Sequence, residues 1–271
     1  MTTASTDPEV AIRAARAGML VIEEARGRDL ARSYKQGDDF ATEADVRAEE
    51  AIRAVIRELR PDDAIIGEEL GADGRGPRTW LVDPLCGTRN FASTAGPVCV
   101  NVALRENDDV HVAAVAEPFA ERILWTDGVS AYERREGRDT GIRPSAATRI
   151  VELNADGAGD DIGPRLISNR RVRTWMSPRV SASTMVLPWV AEGRRGAYAS
   201  DGDLRHSVHF AAGIALCRAA GCVVSDLTGE SLDTGDGLMI AADLETWDEL
   251  RAHVHRHRST AGAIPVTALA P

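Results

Sequence analysis

Trp80-Leu81-Val82-Asp83-Pro84-Leu85-Cys86-Gly87-Thr88-Arg89-Asn90-Phe91 is the stretch on which the fold turns. Trp80–Val82 is a short apolar run of the kind that forms a buried strand. Asp83-Pro84 is expected to end it, because proline has no N–H for the ladder. A carboxylate at the end of a strand is held by a rigid element, as a metal ligand should be. Gly87-Thr88 follow closely, placed to offer backbone N–H groups and a hydroxyl, which suits a phosphate held against metal ions. Acidic residues at strand ends are just as often solvated loop entries, so these residues alone leave both readings open.

Upstream, Ala64-Ile65-Ile66 reads as another strand and delivers Gly67-Glu68-Glu69 to its end. Before it, a helix is expected from about Asp45 to Leu59, with Ile52, Val55, Ile56 and Leu59 on one face and Pro61 as its stop. A first helix starts at Asp7-Pro8, with Asp7 as N-cap, and carries Val10, Ala14, Ala17 and Val21 at helical spacing. The glycine-rich stretch 71–78 reads as a loop. Downstream, Val98–Leu104, Val110–Ala116 and Arg122–Trp125 read as strands and Ala131–Asp139 as a hairpin. Leu153–Pro164, rich in Gly and Asp, is the expected junction between two halves, residues 1–150 and 151–271. Beyond it, Leu166–Ser168 reads as a strand, Ala182–Ala191 and Val208–Ala220 as helices, Cys222–Asp226 and Leu238–Ala241 as strands, and Thr246–His253 as a closing helix. The imperfect alternation indicates a mixed α/β architecture rather than one doubly wound sheet.

Composition narrows the function classes. The chain has 271 residues, 44% of them apolar, enough for one large core or two closely packed halves. The net charge is −10 with acids spread along the chain, which argues against nucleic acid as a partner. No apolar run approaches the roughly 18 residues of a membrane span. Met1–Asp7 lacks the features of a signal peptide, so a cytoplasmic location is expected. The four cysteines, Cys86, Cys99, Cys217 and Cys222, fit neither a zinc knuckle nor a disulfide framework.

The twelve residues from Trp80 resemble the WxxDPxDGTxNF signature of the inositol monophosphatase superfamily. Gly67-Glu68-Glu69 resembles its GEE motif, and Asp39–Asp45 its Asp-x-x-Thr-x-x-Asp segment. Val208–Gly213 resembles WDxAAG, and Gly193–Tyr198 stands where the family has GRxDAY. The motifs run in order over nearly the whole chain. The resemblance implies a layered αβαβα sandwich, with the GEE and DPLCGT motifs in the first half and VHFAAG in the second. It implies magnesium-dependent hydrolysis of a small phosphate monoester and, for the assembly, a homodimer. By the same resemblance Glu68, Asp83 and the carbonyl of Leu85 hold a first metal. Asp45 and Thr88 position and deprotonate the attacking water, and Gly87 and Thr88 bind the phosphate.

The departures fall together. The second Asp of the signature is Cys86 and the Asp of WDxAAG is His209. With Asp83, these positions make up the family's second metal site. Magnesium seeks oxygen ligands in octahedral geometry, so it should bind poorly there. Three readings stay open. Asp83, Cys86 and His209 could hold zinc or another transition metal. Cys86 and His209 could instead carry covalent or acid–base chemistry without a second metal. Or the chain keeps the fold for a binding or regulatory role. Retention of Asp45, Glu68, Asp83 and Thr88 favours an enzyme, and the complete water-activating half favours phosphate-ester chemistry.

Other residues point less sharply. His253, His255 and His257 read as capping the closing helix, where cations meet the negative end of the dipole. His206 reads as a surface loop residue. Arg89 contacts an anionic substrate or is solvated, and solvation is the simpler account. Glu69 is an outer partner of the site or an exposed carboxylate. The substrate expected is a small phosphorylated metabolite of unspecified kind.

Overall fold

The apolar periodicity of the first residues is satisfied by a pair of helices laid on a sheet. The computed structural model describes residues 5–28, 32–34, 40–155, 162–204 and 206–261. The first helix, α1 (Asp7–Ala25), is capped by Thr6 rather than Asp7, whose carboxylate pairs instead with Arg60 and Arg78. Its buried face is Val10, Ala11, Ala14, Ala15, Gly18, Met19 and Ile22, so Ala17 and Val21 sit at the margin of the stripe. A short ribbon, β1 (Arg32–Tyr34) and β2 (Phe40–Thr42), leads into α2 (Glu43–Leu59). The two helices pack closely: a Cβ on Gly18 would lie 2.8 Å from Ile52 Cδ1.

The main sheet follows as β3 (Ala64–Gly67), β4 (Gly71–Asp73), β5 (Arg78–Cys86), the short helix α3 (Thr88–Ala92), β6 (Cys99–Glu106), β7 (Asp109–Glu117), β8 (Arg122–Thr126), β9 (Ala131–Arg135) and β10 (Arg138–Gly141). Its eight strands lie in the order β10-β9-β8-β7-β6-β5-β3-β4, antiparallel throughout except where β3 runs parallel to β5. Gly71–Asp73, expected as loop, folds back on Ile65–Gly67 as an edge strand. Asp83-Pro84 does not end β5 as expected. The register against β6 shifts between Asp83 and Cys86, and this irregularity carries the strand past the proline to Cys86.

The remaining elements are β11 (Ile150–Leu153), α4 (Ile162–Ser168), α5 (Arg170–Trp175), β12 (Ser177–Arg179), α6 (Val186–Ala191), β13 (Ala197–Ser200), α7 (Ala211–Ala220), β14 (Val223–Ser225), β15 (Leu238–Ala241) and α8 (Leu244–Ala261). The strands form a second sheet in the order β12-β11-β13-β15-β14. Leu166–Ser168, expected as a strand, is the end of α4, with Ile162 and Leu166 buried one helical turn apart. A short apolar run cannot by itself distinguish the two periods. Residues 156–161 of the expected junction, and Asp39 of the Asp39–Asp45 segment, lie outside the described residues.

Three apolar cores define the layers. One lies between α1/α2 and the main sheet, with Trp80, Val82, Ile52 and Ile56 at its centre. A second surrounds α6 and α7, which fill the space between the two sheets. A third joins the second sheet to α4, α5 and α8. The order is therefore helix, sheet, helix, sheet, helix, the αβαβα sandwich expected. Strand β5 carries alternate residues into the first two cores, Trp80 and Val82 to one side and Leu81 to the other, and its end points the signature residues at the middle layer.

Candidate active site

Asp45 is placed by the start of α2. Thr42 caps that helix, and its N–H (2.8 Å) and hydroxyl (2.6 Å) both donate to Asp45 Oδ2. The other carboxylate oxygen, Oδ1, lies 3.0 Å from Thr88 Oγ1, which is also 3.1 Å from the Leu85 carbonyl. Asp45 is fully buried. Burial pushes its carboxyl up to about 6, against the hydrogen bonds from Thr42 and Thr88, and the charge of Glu69 adds to the rise. At neutral pH the group is ionised but close to its midpoint, a suitable poise for a general base.

Asp83 is also fully buried and is held from three sides. Leu85 N–H donates to Oδ1 at 3.1 Å, while Asn101 Nδ2 and His209 Nδ1 lie 3.3 and 2.8 Å from Oδ2. His209 comes from the turn just before α7, since the helix begins at Ala211 rather than at Val208 as expected. Its Nδ1 lies 3.8 Å from Glu68 Oε2, so the imidazole stands beside two carboxylates. Burial acts to lower its pKa, but the hydrogen bond and charge of Asp83, aided by Cys86 and Glu68, raise it to about 10. Nδ1 therefore carries a proton in this arrangement.

The ligand atoms of Asp83, Cys86 and His209 all lie within 4.8 Å of one another. Cys86 Sγ accepts from Thr184 N–H at 3.2 Å and from Thr184 Oγ1 at 3.0 Å. Its neighbour across the ladder is Cys99. Contact with Cys99, then burial and the charge of Asp83, push the Cys86 thiol well above its ordinary value. Without a metal, then, residue 86 rests as a thiol, while the imidazole proton is committed to Asp83. This is not the geometry of a histidine-activated thiolate.

Glu68 is presented by a clamp that the sequence did not reveal. Glu49 of α2, fully buried, accepts from Glu69 N–H at 2.7 Å, from Leu70 N–H at 3.2 Å and from Arg53 Nε at 2.7 Å. The GEE turn is thus tied by its backbone to α2. Gly67 permits this approach: a Cβ there would fall 1.9 Å from Glu49 Oε1. Glu69 itself serves through its N–H and its influence on Asp45.

One cavity of about 490 Å³ is lined among others by Glu68, Leu85, Cys86, Thr88, Thr184, Tyr198, His209 and Phe210, with Asp45 and Asp83 buried and hydrogen-bonded to its lining residues Thr88 and His209. Gly87 and Arg89 also line it, Arg89 as an exposed side chain at its border. The expected set therefore converges. Sequence reasoning missed Asn101, Ser183, Thr184 and Glu49. Asn101 had a signal, a lone amide in the apolar run Val98–Leu104. Ser183 and Thr184 were assigned to a helix that begins only at Val186. His206 is half-buried and is not among the cavity-lining residues. The C-terminal histidines do not cap α8, which continues to Ala261. His253 is buried in its middle against the Trp175 ring, and burial lowers its pKa.

The donor chemistry divides the site. Glu68, Asp83 and the Leu85 carbonyl are all oxygens and suit magnesium. Asp83, Cys86 and His209 are one oxygen, one sulfur and one nitrogen, and do not.

A layered α/β sandwich in which the buried carboxylates Asp45 and Asp83 are hydrogen-bonded to the cavity-lining Thr88 and His209 has the architecture of a phosphatase-like protein. The chain belongs to the inositol monophosphatase family, whose model matches residues 5–260. It is 30% identical to the Nus factor SuhB of Pseudomonas aeruginosa over 92% of this chain and 95% of that one. It is 28% identical to an inositol-1-monophosphatase of Caulobacter vibrioides over 82% and 94% of the two chains. Among solved structures, the extragenic suppressor protein suhB of Bartonella henselae shares the fold with a TM-score of 0.80, at 24% identity over 90% of this chain and 96% of that one. Among the described residues no helix is long and apolar enough to cross a membrane.

Proposed function

We propose that the chain hydrolyses the phosphate monoester of a small metabolite in the cytoplasm, using the Asp45–Thr88 pair to activate water. The observation that carries this reading is the chain Asp45 Oδ1, Thr88 Oγ1, Leu85 carbonyl, with contacts of 3.0 and 3.1 Å, in which Thr88 and Leu85 line the cavity that Glu68 also lines. With its O–H donated to Asp45 Oδ1, the Thr88 hydroxyl has lone pairs free to accept from a water in the cavity. As that water attacks phosphorus, its proton passes to Thr88 and the threonine proton to Asp45. Glu68, Asp83 and the Leu85 carbonyl would hold magnesium, which supplies Lewis acidity at the phosphoryl group when bound. Gly87 and Thr88 contact the phosphate, and Arg89 offers a positive charge at the cavity border. Tyr198 and Phe210, ring centroids 6.4 Å apart, give the rest of the substrate an aromatic wall.

One observation favours a second reading. Several relatives bear the name Nus factor SuhB, including the Pseudomonas protein, so a regulatory role through the same fold is the alternative. Phosphate release from a panel of sugar, inositol and nucleotide monoesters, with magnesium, manganese and zinc in turn, separates the two. Turnover that disappears in Asp45→Asn supports hydrolysis. A folded protein inert on the whole panel with every metal supports the regulatory reading.

A further inference from the structure

We propose that Asp83, Cys86 and His209 bind a thiophilic divalent ion such as zinc, with an open coordination position facing the substrate cavity. The proposal takes from the functional reading only the location of the site, and metal binding is measured without substrate.

Three features support it. First, the donors come from separately fixed backbone positions. Asp83 and Cys86 flank the irregular end of β5, and His209 sits in the turn before α7. Donor atoms on one tetrahedral zinc, at the usual Zn–N, Zn–O and Zn–S lengths, lie about 3.3–3.6 Å apart. Here they are already within 4.8 Å, with Asp83 Oδ2 and His209 Nδ1 at 2.8 Å. Binding needs the imidazole to draw back about half an ångström and the sulfur to move in by at most about 1.3 Å. Second, the surrounding hydrogen bonds suit a bound thiolate. Thr184 aims an N–H and a hydroxyl at Cys86 Sγ, and Asn101 and the Leu85 N–H hold Asp83. Donors of this kind around metal ligands tune affinity. Third, three protein ligands with a cavity on the remaining side are the pattern of a catalytic zinc site rather than a closed structural one. Cys86 and His209 line that cavity, and Asp83 is buried in contact with His209.

Binding is a proton exchange without redox change. The ion enters, the Cys86 S–H proton and the His209 Nδ1 proton leave to solvent, and the new bonds run from the ion to Sγ, Nδ1 and an Asp83 oxygen. Soft and borderline ions prefer such a set, whereas magnesium does not dehydrate for it.

The test is a titration of metal-free protein with cobalt(II) and competition by zinc. The expected result is a thiolate-to-cobalt charge-transfer band in the near ultraviolet with tetrahedral visible bands, one equivalent, displaced by zinc and untouched by millimolar magnesium. Cys86→Ser should abolish the charge-transfer band, and Thr184→Val should weaken cobalt binding about 10–100-fold. Circular dichroism confirms that each variant is folded. The Cys86→Asp/His209→Asp variant should lose the band and gain magnesium binding. Absence of the band in the parent overturns the proposal and leaves the imidazolium as the permanent cation of that position. So does a zinc affinity unchanged in both Cys86→Ser and His209→Ala, which would place the metal elsewhere. Hydrolysis on magnesium alone survives either failure, and failure of hydrolysis leaves the cobalt result standing.

Discussion

Replacing Gly67 by alanine tests whether the site is built on the clamp between α2 and the GEE turn. The added Cβ would meet Glu49 Oε1 at 1.9 Å and Cδ at 2.3 Å. An exposed glutamate would swing aside, but Glu49 has nowhere to go. Its carboxylate is fully buried, 2.7 Å from Arg53 Nε and 2.7 Å from Glu69 N–H. Moving it must stretch an ion pair whose guanidinium is itself only 6% exposed. Separating a buried pair costs about 3–5 kcal/mol, and overpacking alone about 1–3 kcal/mol. Because the carboxylate can shift without losing every partner, a loss of about 3 kcal/mol is expected. At about 2–4 °C per kcal/mol in a chain of this size, the melting temperature should fall by about 6–12 °C.

The assay is urea unfolding at neutral pH, run as a double-mutant cycle with Glu49→Ala. If the clash is with Glu49, Gly67→Ala should cost under about 1 kcal/mol once that side chain is gone, and the coupling should be of order 2 kcal/mol. A Gly67→Ala protein as stable as the parent would refute the reasoning. So would a full penalty that persists in the Glu49→Ala background, because the cause would then be backbone strain rather than the carboxylate.

Two further outcomes follow from the ionisable groups. Asp45→Asn should lower kcat on any phosphomonoester substrate by at least about 100-fold, and in the parent kcat/KM should rise with pH through about 6 as Asp45 ionises. For stability the sign is opposite: a carboxyl raised from 3.8 to about 6 binds its proton more tightly in the fold. Its contribution therefore favours folding increasingly as pH falls from 6 towards 3.8, and its cost is fully present above 6. Asp45→Asn should accordingly be no less stable than the parent at pH 8 by urea titration, and a clear loss there would contradict the burial argument. Cys86, a thiol held above its ordinary pKa, should react with iodoacetamide at pH 7 no faster than half-buried Cys222. Mass spectrometry of the labelled peptides measures both, and a tenfold or greater preference for Cys86 would restore the nucleophile reading.

The fold was legible where patterns were long and one-sided. The central strands of the main sheet, β5 to β8, send alternate residues to two distinct cores, as Leu81 between Trp80 and Val82 shows. Legibility failed at short runs. Leu166–Ser168 could be helix or strand, and only docking against α8 and the second sheet decides it. It failed again at Ala182–Thr184, where three small residues that look helical remain outside α6 to face the cavity. Of the site, ordered motifs picked out Glu68, Leu85, Cys86, Thr88 and His209, which line one cavity, and Asp45 and Asp83, buried against them. They could not identify Glu49, whose polarity on a helix looks like solvent exposure until the GEE backbone closes over it. They also could not tell a thiolate from a thiol at residue 86, because that depends on Cys99 across the ladder and on which group takes the imidazole proton.

That proton also determines whether the fold depends on a metal. Asp83 is a fully buried carboxylate, and such a charge is tolerated only when paired or hydrogen-bonded. Here Leu85 N–H, Asn101 and a protonated His209 supply all that it needs without an ion. The chain should therefore fold metal-free, and chelation with EDTA should leave the melting temperature of the apo protein unchanged. Zinc at about one hundred times its dissociation constant should add about 2.7 kcal/mol, since it binds the folded site and finds no such site in the unfolded chain. That corresponds to a rise of about 5–10 °C, absent in Cys86→Ser and His209→Ala. Unfolding of the parent on chelation would show that Asp83 requires a metal after all, and that His209 does not supply its counter-charge.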